Sequence, residues 1–281
     1  MRADLHVHSN ASDGTDPPAE VMSRAAGAGL DVVALTDHDT VAGHAQARRA
    51  LPASLILVPG MELSCTLDGN SMHLLAYLFD PDDPELAAQT QRIRDDRVLR
   101  AQAMVDRLID LGVPITWADV AAIAGSAVVG RPHIARAMAA SGAIASPDQA
   151  FTRDWIADGG RAYVDRYALE PAHAIGLVRA AGGVAVVAHP RANRDLVITD
   201  EQIAGLAAAG LAGVEVFHPD QPEGEQASLL ALTRDLGLIA TGGSDDHGIL
   251  TGHRIGSHTA APGAYESLIA QATGSQPIRT G

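Results

Sequence analysis

Seven short runs of aliphatic and β-branched residues, at 3–7, 31–36, 55–58, 73–79, 184–188, 214–217 and 238–241, are separated along most of the chain by stretches with apolar residues at helical spacing. Strands that alternate with helices pair in parallel, because each helical crossover returns the chain to the end of the sheet where the previous strand began. The pattern therefore predicts parallel βα units in an α/β fold. The intervening helices are expected at 18–28, 41–50, 171–181, 200–209 and 223–236, and Gly29, Gly182, Gly210 and Gly237 stand where those helices should stop. At 281 residues, 47% of them hydrophobic, the chain can bury a core of that size.

Between residues 84 and 165 the pattern changes. A long helical stretch at 85–111 is followed by shorter ones at 117–124, 132–141 and 147–157, with no convincing strand among them. Asp80-Pro81-Asp82-Asp83-Pro84 punctuates one edge and Gly159-Gly160 the other. The expected organisation is a barrel from 1–84 and 166–281 interrupted by an inserted helical cap at 85–165.

Histidines and carboxylates collect where the strands end. His6 and His8 are two apart on the first strand and so share a face. Asp13 follows in the next loop, His38 ends the second strand, Glu62 follows the third and His73 opens the fourth. His189 ends the fifth strand, while Asp245 and His247 follow the seventh. A parallel barrel gathers such positions on one face, where its active site is built. Nine donors exceed what one ion takes, so two or three divalent ions are expected, and the mixed nitrogen and oxygen set suits manganese, iron or zinc. Asp37, Asp39 and Asp246 adjoin these histidines and are candidates to orient the imidazoles from behind. His218, just after the sixth strand, is a candidate substrate contact or proton donor, and Arg166 near the barrel rim a candidate substrate contact.

The order HxH, Asp, TDH, GxE, His, AHP and SDxH resembles the PHP (polymerase and histidinol phosphatase) family of metal-dependent phosphoesterases. The resemblance implies a distorted (β/α)7 barrel with an inserted helical cap. It also implies that His6, His8, Glu62 and Asp245 hold one metal, Asp13, His38 and His247 a second, and Glu62, His73 and His189 a third, with Glu62 bridging. Within the insertion, Gly130-Arg131-Pro132-His133 is similar to a stretch found in PHP members that act on nucleoside 3′,5′-bisphosphates or on the ends of short oligoribonucleotides. Arginine beside a helix start makes a phosphate clamp from a guanidinium and free N–H groups. Glu62, His218 and Arg131 are the expected catalytic residues, and Arg131, His133, Arg166 and His218 the expected substrate contacts. The expected reaction is attack of a metal-bound hydroxide on a phosphate monoester, most specifically the 3′-phosphate of a nucleoside 3′,5′-bisphosphate. The alternatives are a 5′–3′ exoribonuclease on short RNA, a histidinol-phosphate phosphatase and a metal-stabilised interaction module without activity.

Charge and composition limit the partners. Twenty basic residues, all arginine, stand against 34 acidic ones for a net charge of −14, which argues against broad capture of long nucleic acid. A small nucleotide or short oligoribonucleotide is the expected substrate. No apolar run reaches the roughly 18 residues of a membrane span. The opening MRADLHVHS lacks the apolar core of a secretory signal, which points to the cytoplasm. Cys65, the sole cysteine, excludes an internal disulfide and is expected to be a small buried side chain. Nothing in the sequence specifies an oligomeric state.

Overall fold

The computed structural model describes residues 1–125, 129–165, 167–192 and 197–280, so Arg166 lies outside the described residues. The chain divides into two compact units, one formed by Met1–Thr90 with Ala168–Gly281 and the other by Gln91–Tyr167. In the first unit the elements are β1 (Ala3–Val7), α1 (Pro18–Gly27), β2 (Val32–Leu35), α2 (His44–Arg49), β3 (Ile56–Leu67) and β4 (Asn70–Tyr77). The long α3 (Pro84–Asp110) leads into the second unit, which holds α4 (Trp117–Ala124) and α5 (Arg131–Ala140). The chain then returns through α6 (Pro171–Ala180), β5 (Val184–Val187), α7 (Asp200–Ala208), β6 (Gly213–Phe217), α8 (Glu223–Leu236), β7 (Ile239–Gly242) and α9 (Ala264–Gln271).

The strands form one sheet in the order β1 to β7. The edges meet where Val7 bridges Asp246, with His8 N–H donating to the Asp246 carbonyl at 2.9 Å and Asp245 N–H to the His6 carbonyl at 2.8 Å, so the sheet nearly closes on itself. Gly243 permits this approach. A Cβ there would fall 2.4 Å from the His6 Cβ.

Pairing is parallel from β1 to β3 and from β5 to β7, but β4 runs antiparallel to both of its neighbours. This departs from the all-parallel expectation. The third strand does not end at Val58; it continues through Pro59-Gly60-Met61-Glu62 to Leu67 and turns back at Asp68-Gly69, both with positive φ (51° and 79°), into Asn70. Two central residues with φ > 0 match the twist of a tight hairpin, and Asp-Gly is a sequence pair that supplies them. Glu62 therefore sits inside a strand rather than in a turn after one, and His73 lies within β4 rather than at its start.

The helical expectation also changes in detail. Residues 147–157 contain only a single 3₁₀ turn, Pro147–Ala150, and α9 was not anticipated. Leu5, Ala34, Val58, Leu75, Tyr77 and Val186 belong to one barrel core, while Val7, Met22, Val33, Leu35 and Leu57 pack in another beside α1. Met104, Leu108, Val120, Ile134, Met138 and Ile156 form a separate core in the helical unit. Cys65 is buried in β3. Among the described residues no helix is long and apolar enough to cross a membrane.

Candidate metal centre

Short bonds from loop to loop fix the ends of the strands. The Asp37 carboxylate accepts from Ser9 N–H, Ser9 Oγ and Ser12 Oγ, each at 2.7 Å, and so holds the loop that carries Asp13. Asp39 accepts from Ser64 N–H and Oγ at 2.7 Å, tying the end of β2 to β3. Asp246 accepts from Gly248 N–H, Thr251 Oγ1 and Arg254 N–H at 3.0, 2.9 and 2.6 Å. The hydrogen bonds of Asp37 and Asp246 thus brace loops, where the sequence had suggested that they orient imidazoles.

The carboxylate that orients an imidazole is Glu215, inside the sixth apolar run at 214–217. It lies buried within β6, with Oε1 3.0 Å from His6 Nδ1, and its Oε2 accepts the His189 N–H at 2.8 Å. Its signal was a lone charge in the apolar run Gly213–Phe217. With the His6 Nδ1 proton committed to Glu215, the lone pair on Nε2 faces the cluster. We expect Glu215→Gln, whose single amide oxygen can serve only one of these two donors, to weaken metal affinity about 10- to 100-fold, as outer-shell changes do. Titration of the metal-free variant with manganese checks this; affinity equal to wild type removes Glu215 from that role.

The structure brings the nine expected donors together. Donor atoms of His6, His8, Glu62 and Asp245 lie within 4.8 Å of one another, as do those of His8, Asp13, His38 and His247, and those of His38, Glu62 and His73. Glu62 stands at the middle. Its Oε2 is 3.2 Å from His6 Nε2, 3.1 Å from His8 Nε2 and 3.3 Å from His38 Nδ1, while Oε1 is 2.8 Å from His73 Nδ1 and 3.0 Å from His189 Nε2. Ligands about 2.0–2.2 Å from a shared ion stand roughly 3–3.6 Å apart, the spacing met here.

The donor set suits cations for a second reason. His6 Nε2 and His8 Nε2 face each other at 3.1 Å, and among the described residues the buried His8 Nδ1 and His38 Nδ1 have no hydrogen-bond partner. His247 Nδ1 lies 3.1 Å from the Asp245 carbonyl and so carries a proton, which leaves Nε2, 3.2 Å from Asp13, as the ring atom an ion would take. Lone pairs and carboxylates crowded in this way favour a positive ion between them.

The titration of these groups reflects the crowding. Burial pushes Glu62, Asp13 and Asp245 upward, but the surrounding imidazoles outweigh it and hold all three well below the usual carboxylate range. Burial would lower His247, yet Asp13 and Asp245 raise it to about 10. Burial prevails at His38, which is pushed down to about 3. Two of the residues involved carry unusual backbone: φ is +28° at His189 and +48° at Asp245. Non-glycine residues keep such angles only where surrounding bonds over-determine them, as Glu215 does at His189.

The other expected site residues lie as follows. His218 is buried with Nε2 3.3 Å from Asp245 Oδ2, in contact with the cluster. Arg131 opens α5 in the helical unit and pairs with Asp158 at 2.7 Å and the Ile156 carbonyl at 3.3 Å. His133 is buried in the same helix, its Nδ1 accepting the Gly130 N–H at 3.0 Å.

Comparison with known proteins gives a consistent picture. Residues 4–114 match the PHP domain. A Haemophilus influenzae protein named 5′-3′ exoribonuclease is 33% identical over 87% of this chain and 89% of its own. A Chromobacterium violaceum protein named 3′,5′-nucleoside bisphosphate phosphatase is 32% identical over 91% and 90%. Among solved structures, one from Bifidobacterium adolescentis described as a metal-dependent phosphoesterase superposes with a TM-score of 0.87 at 32% identity, covering 96% of both chains.

Proposed function

The chain belongs to the PHP family, and from that premise we propose that this metal-dependent phosphoesterase removes the 3′-phosphate from nucleoside 3′,5′-bisphosphates. One observation carries the chemistry: the donor groups overlap, sharing His8, His38 and Glu62. Such sharing suits a cluster of two or three ions rather than separate sites. In this reading His6, His8, Glu62 and Asp245 hold one ion, Asp13, His38 and His247 a second, and Glu62, His73 and His189 a third, with manganese, iron or zinc as the metal.

Ions bound there would supply Lewis acidity at the phosphoryl oxygens and lower the pKa of water. The protein's own residues do the placing. His6, His8, His38 and Glu62 form a buried floor, whereas Asp13, His73, His189, Asp245 and His247 are partly exposed and form the rim where a phosphate would enter. Glu215 holds His6 in one tautomer, so its lone pair stays aimed at the cluster.

The substrate reading is supported by the named activity of the Chromobacterium violaceum relative, together with Arg131 at a helix start. A bisphosphate offers one phosphate to the metals and leaves another for a guanidinium and for helix N–H groups. Arg131, His133 and Arg166 are the proposed contacts for the remote group. A 5′–3′ exoribonuclease is the second reading, favoured by the Haemophilus influenzae relative. Phosphate and nucleotide release from a nucleoside 3′,5′-bisphosphate, a short 5′-phosphorylated oligoribonucleotide and histidinol phosphate decides among them; a higher kcat/KM on either of the last two overturns the first reading.

Arg131→Ala should lower kcat/KM for the bisphosphate by about 10- to 100-fold, the loss of about 1.5–3 kcal/mol from one charge-assisted contact, while sparing a small generic monoester. An arginine that only tethers Asp158 would instead give equal losses on both substrates.

A further inference from the structure

We propose that His218 and Arg254 form a clamp on Asp245 that selects which of its carboxylate oxygens faces the metals, an inference that rests on the proposed metal ligation of Asp245. The two oxygens have different neighbours. Oδ1 looks into the cluster, 3.2 Å from His8 Nε2, 3.4 Å from His6 Nε2 and 3.5 Å from His247 Nδ1. Oδ2 faces His218 Nε2 at 3.3 Å and Arg254 Nη2 at 3.7 Å.

Behind this carboxylate the bonds close into a ring. Arg254 donates from Nη2 to the Asp245 main-chain carbonyl and from Nη1 to Asp220 Oδ2, each at 3.1 Å. Asp220 donates its backbone N–H to His218 Nδ1 at 3.1 Å, and His218 returns to Asp245 through Nε2. The ring joins the loop after β6 to the loop after β7. It also holds Asp245 at φ +48°, a backbone conformation that an aspartate adopts at some cost.

The ring fixes the tautomer of His218. Its Nδ1 accepts a backbone N–H, so the proton sits on Nε2 and points at Asp245 Oδ2. That donor is engaged by Asp245, so His218, a candidate substrate contact or proton donor in the sequence, acts in this reading as a positioning residue. Arg254 had no role in that expectation. Among the described residues its buried Nε has no hydrogen-bond partner, so the hydrogen bonds of the guanidinium run through Nη1 and Nη2. With the His218 N–H on Oδ2 and the Arg254 guanidinium charge beside it, Oδ1 is the oxygen left for the metals.

The test uses full-length variants stripped of metal and titrated with manganese, with kcat measured alongside. His218→Leu and Arg254→Met should each weaken manganese binding by about 10- to 100-fold, the usual effect of losing an outer-shell partner. His218→Gln, which can place an amide N–H near the former Nε2 position but cannot act as an acid, should recover most of that affinity and most of the kcat lost in His218→Leu. Should Arg254→Met fail to fold, Arg254→Lys, which keeps the charge but loses the two-pronged contact, should fall between wild type and His218→Leu. Manganese affinity equal to wild type in His218→Leu and in the folded arginine variant would overturn the clamp. So would a His218→Gln protein that binds manganese normally yet loses kcat as fully as His218→Leu, since that pattern belongs to a proton donor. A wild-type chain that takes up no manganese, iron or zinc would instead sink the proposed ligation itself.

Discussion

Purified protein stripped of divalent metal should release no measurable phosphate, and adding back manganese, iron or zinc should restore turnover. The side chains left behind cannot replace the ions. Glu62, Asp13 and Asp245 are each held by neighbouring histidines, and all three remain ionised well below neutral pH. None is poised as a general base near pH 7. Lewis-acid stabilisation of a phosphoryl transfer contributes several kcal/mol, and each 1.36 kcal/mol is tenfold in rate, so the loss should exceed about 10³-fold. Elemental analysis of active enzyme should find two or three ions per chain. One ion or fewer in fully active protein would reject the shared cluster.

Glu62→Gln should lose about 10³-fold or more in kcat while the protein stays folded, because a single carboxylate contacts five imidazoles. An amide of the same shape preserves packing in β3 but removes the charge that the proposed bridge between ions depends on. It also directs an NH₂ group at nitrogens that already converge, as where Oε1 now meets His73 and His189 at 2.8 and 3.0 Å. Metal content should fall together with turnover. A variant with wild-type kcat and full metal content would show that Glu62 does not bridge. A variant with unchanged metal content but lost turnover would separate its charge from its role as a ligand.

The parts of the fold that could be read from the sequence are those encoded over a few residues. The HxH pair in β1 shares a face because strand side chains repeat every two residues, and that holds wherever the strand is placed. The helix stops at Gly29, Gly182, Gly210 and Gly237 all have positive φ, a local preference of glycine. The reversal of β4 is encoded locally too, in Asp68-Gly69, a pair that supplies the two positive φ angles of a tight hairpin. Residues 147–157 show the opposite case: helical spacing was present, yet the only helical element there is the 3₁₀ turn Pro147–Ala150, because a short helix needs tertiary packing beyond its own propensity.

By itself the sequence determined which donors exist and that most of them fall near the ends of successive strands, Glu62 and His73 lying inside β3 and β4 instead, so a cluster of histidines and carboxylates followed from strand periodicity and alternation. Tertiary structure alone decided what stands behind those donors. Glu215 reaches His6 across 209 positions of sequence, and Arg254 and Asp220 are 34 positions apart, yet each pair lies within hydrogen-bond distance. Asp37 and Asp246, adjacent in sequence to the histidines, turn their oxygens to serine, threonine and backbone groups instead. Adjacency along a strand end constrains only where a side chain starts. Which partner it finds depends on how the neighbouring loops close over it, and a buried carboxylate settles on the donors that those loops bring within about 3 Å.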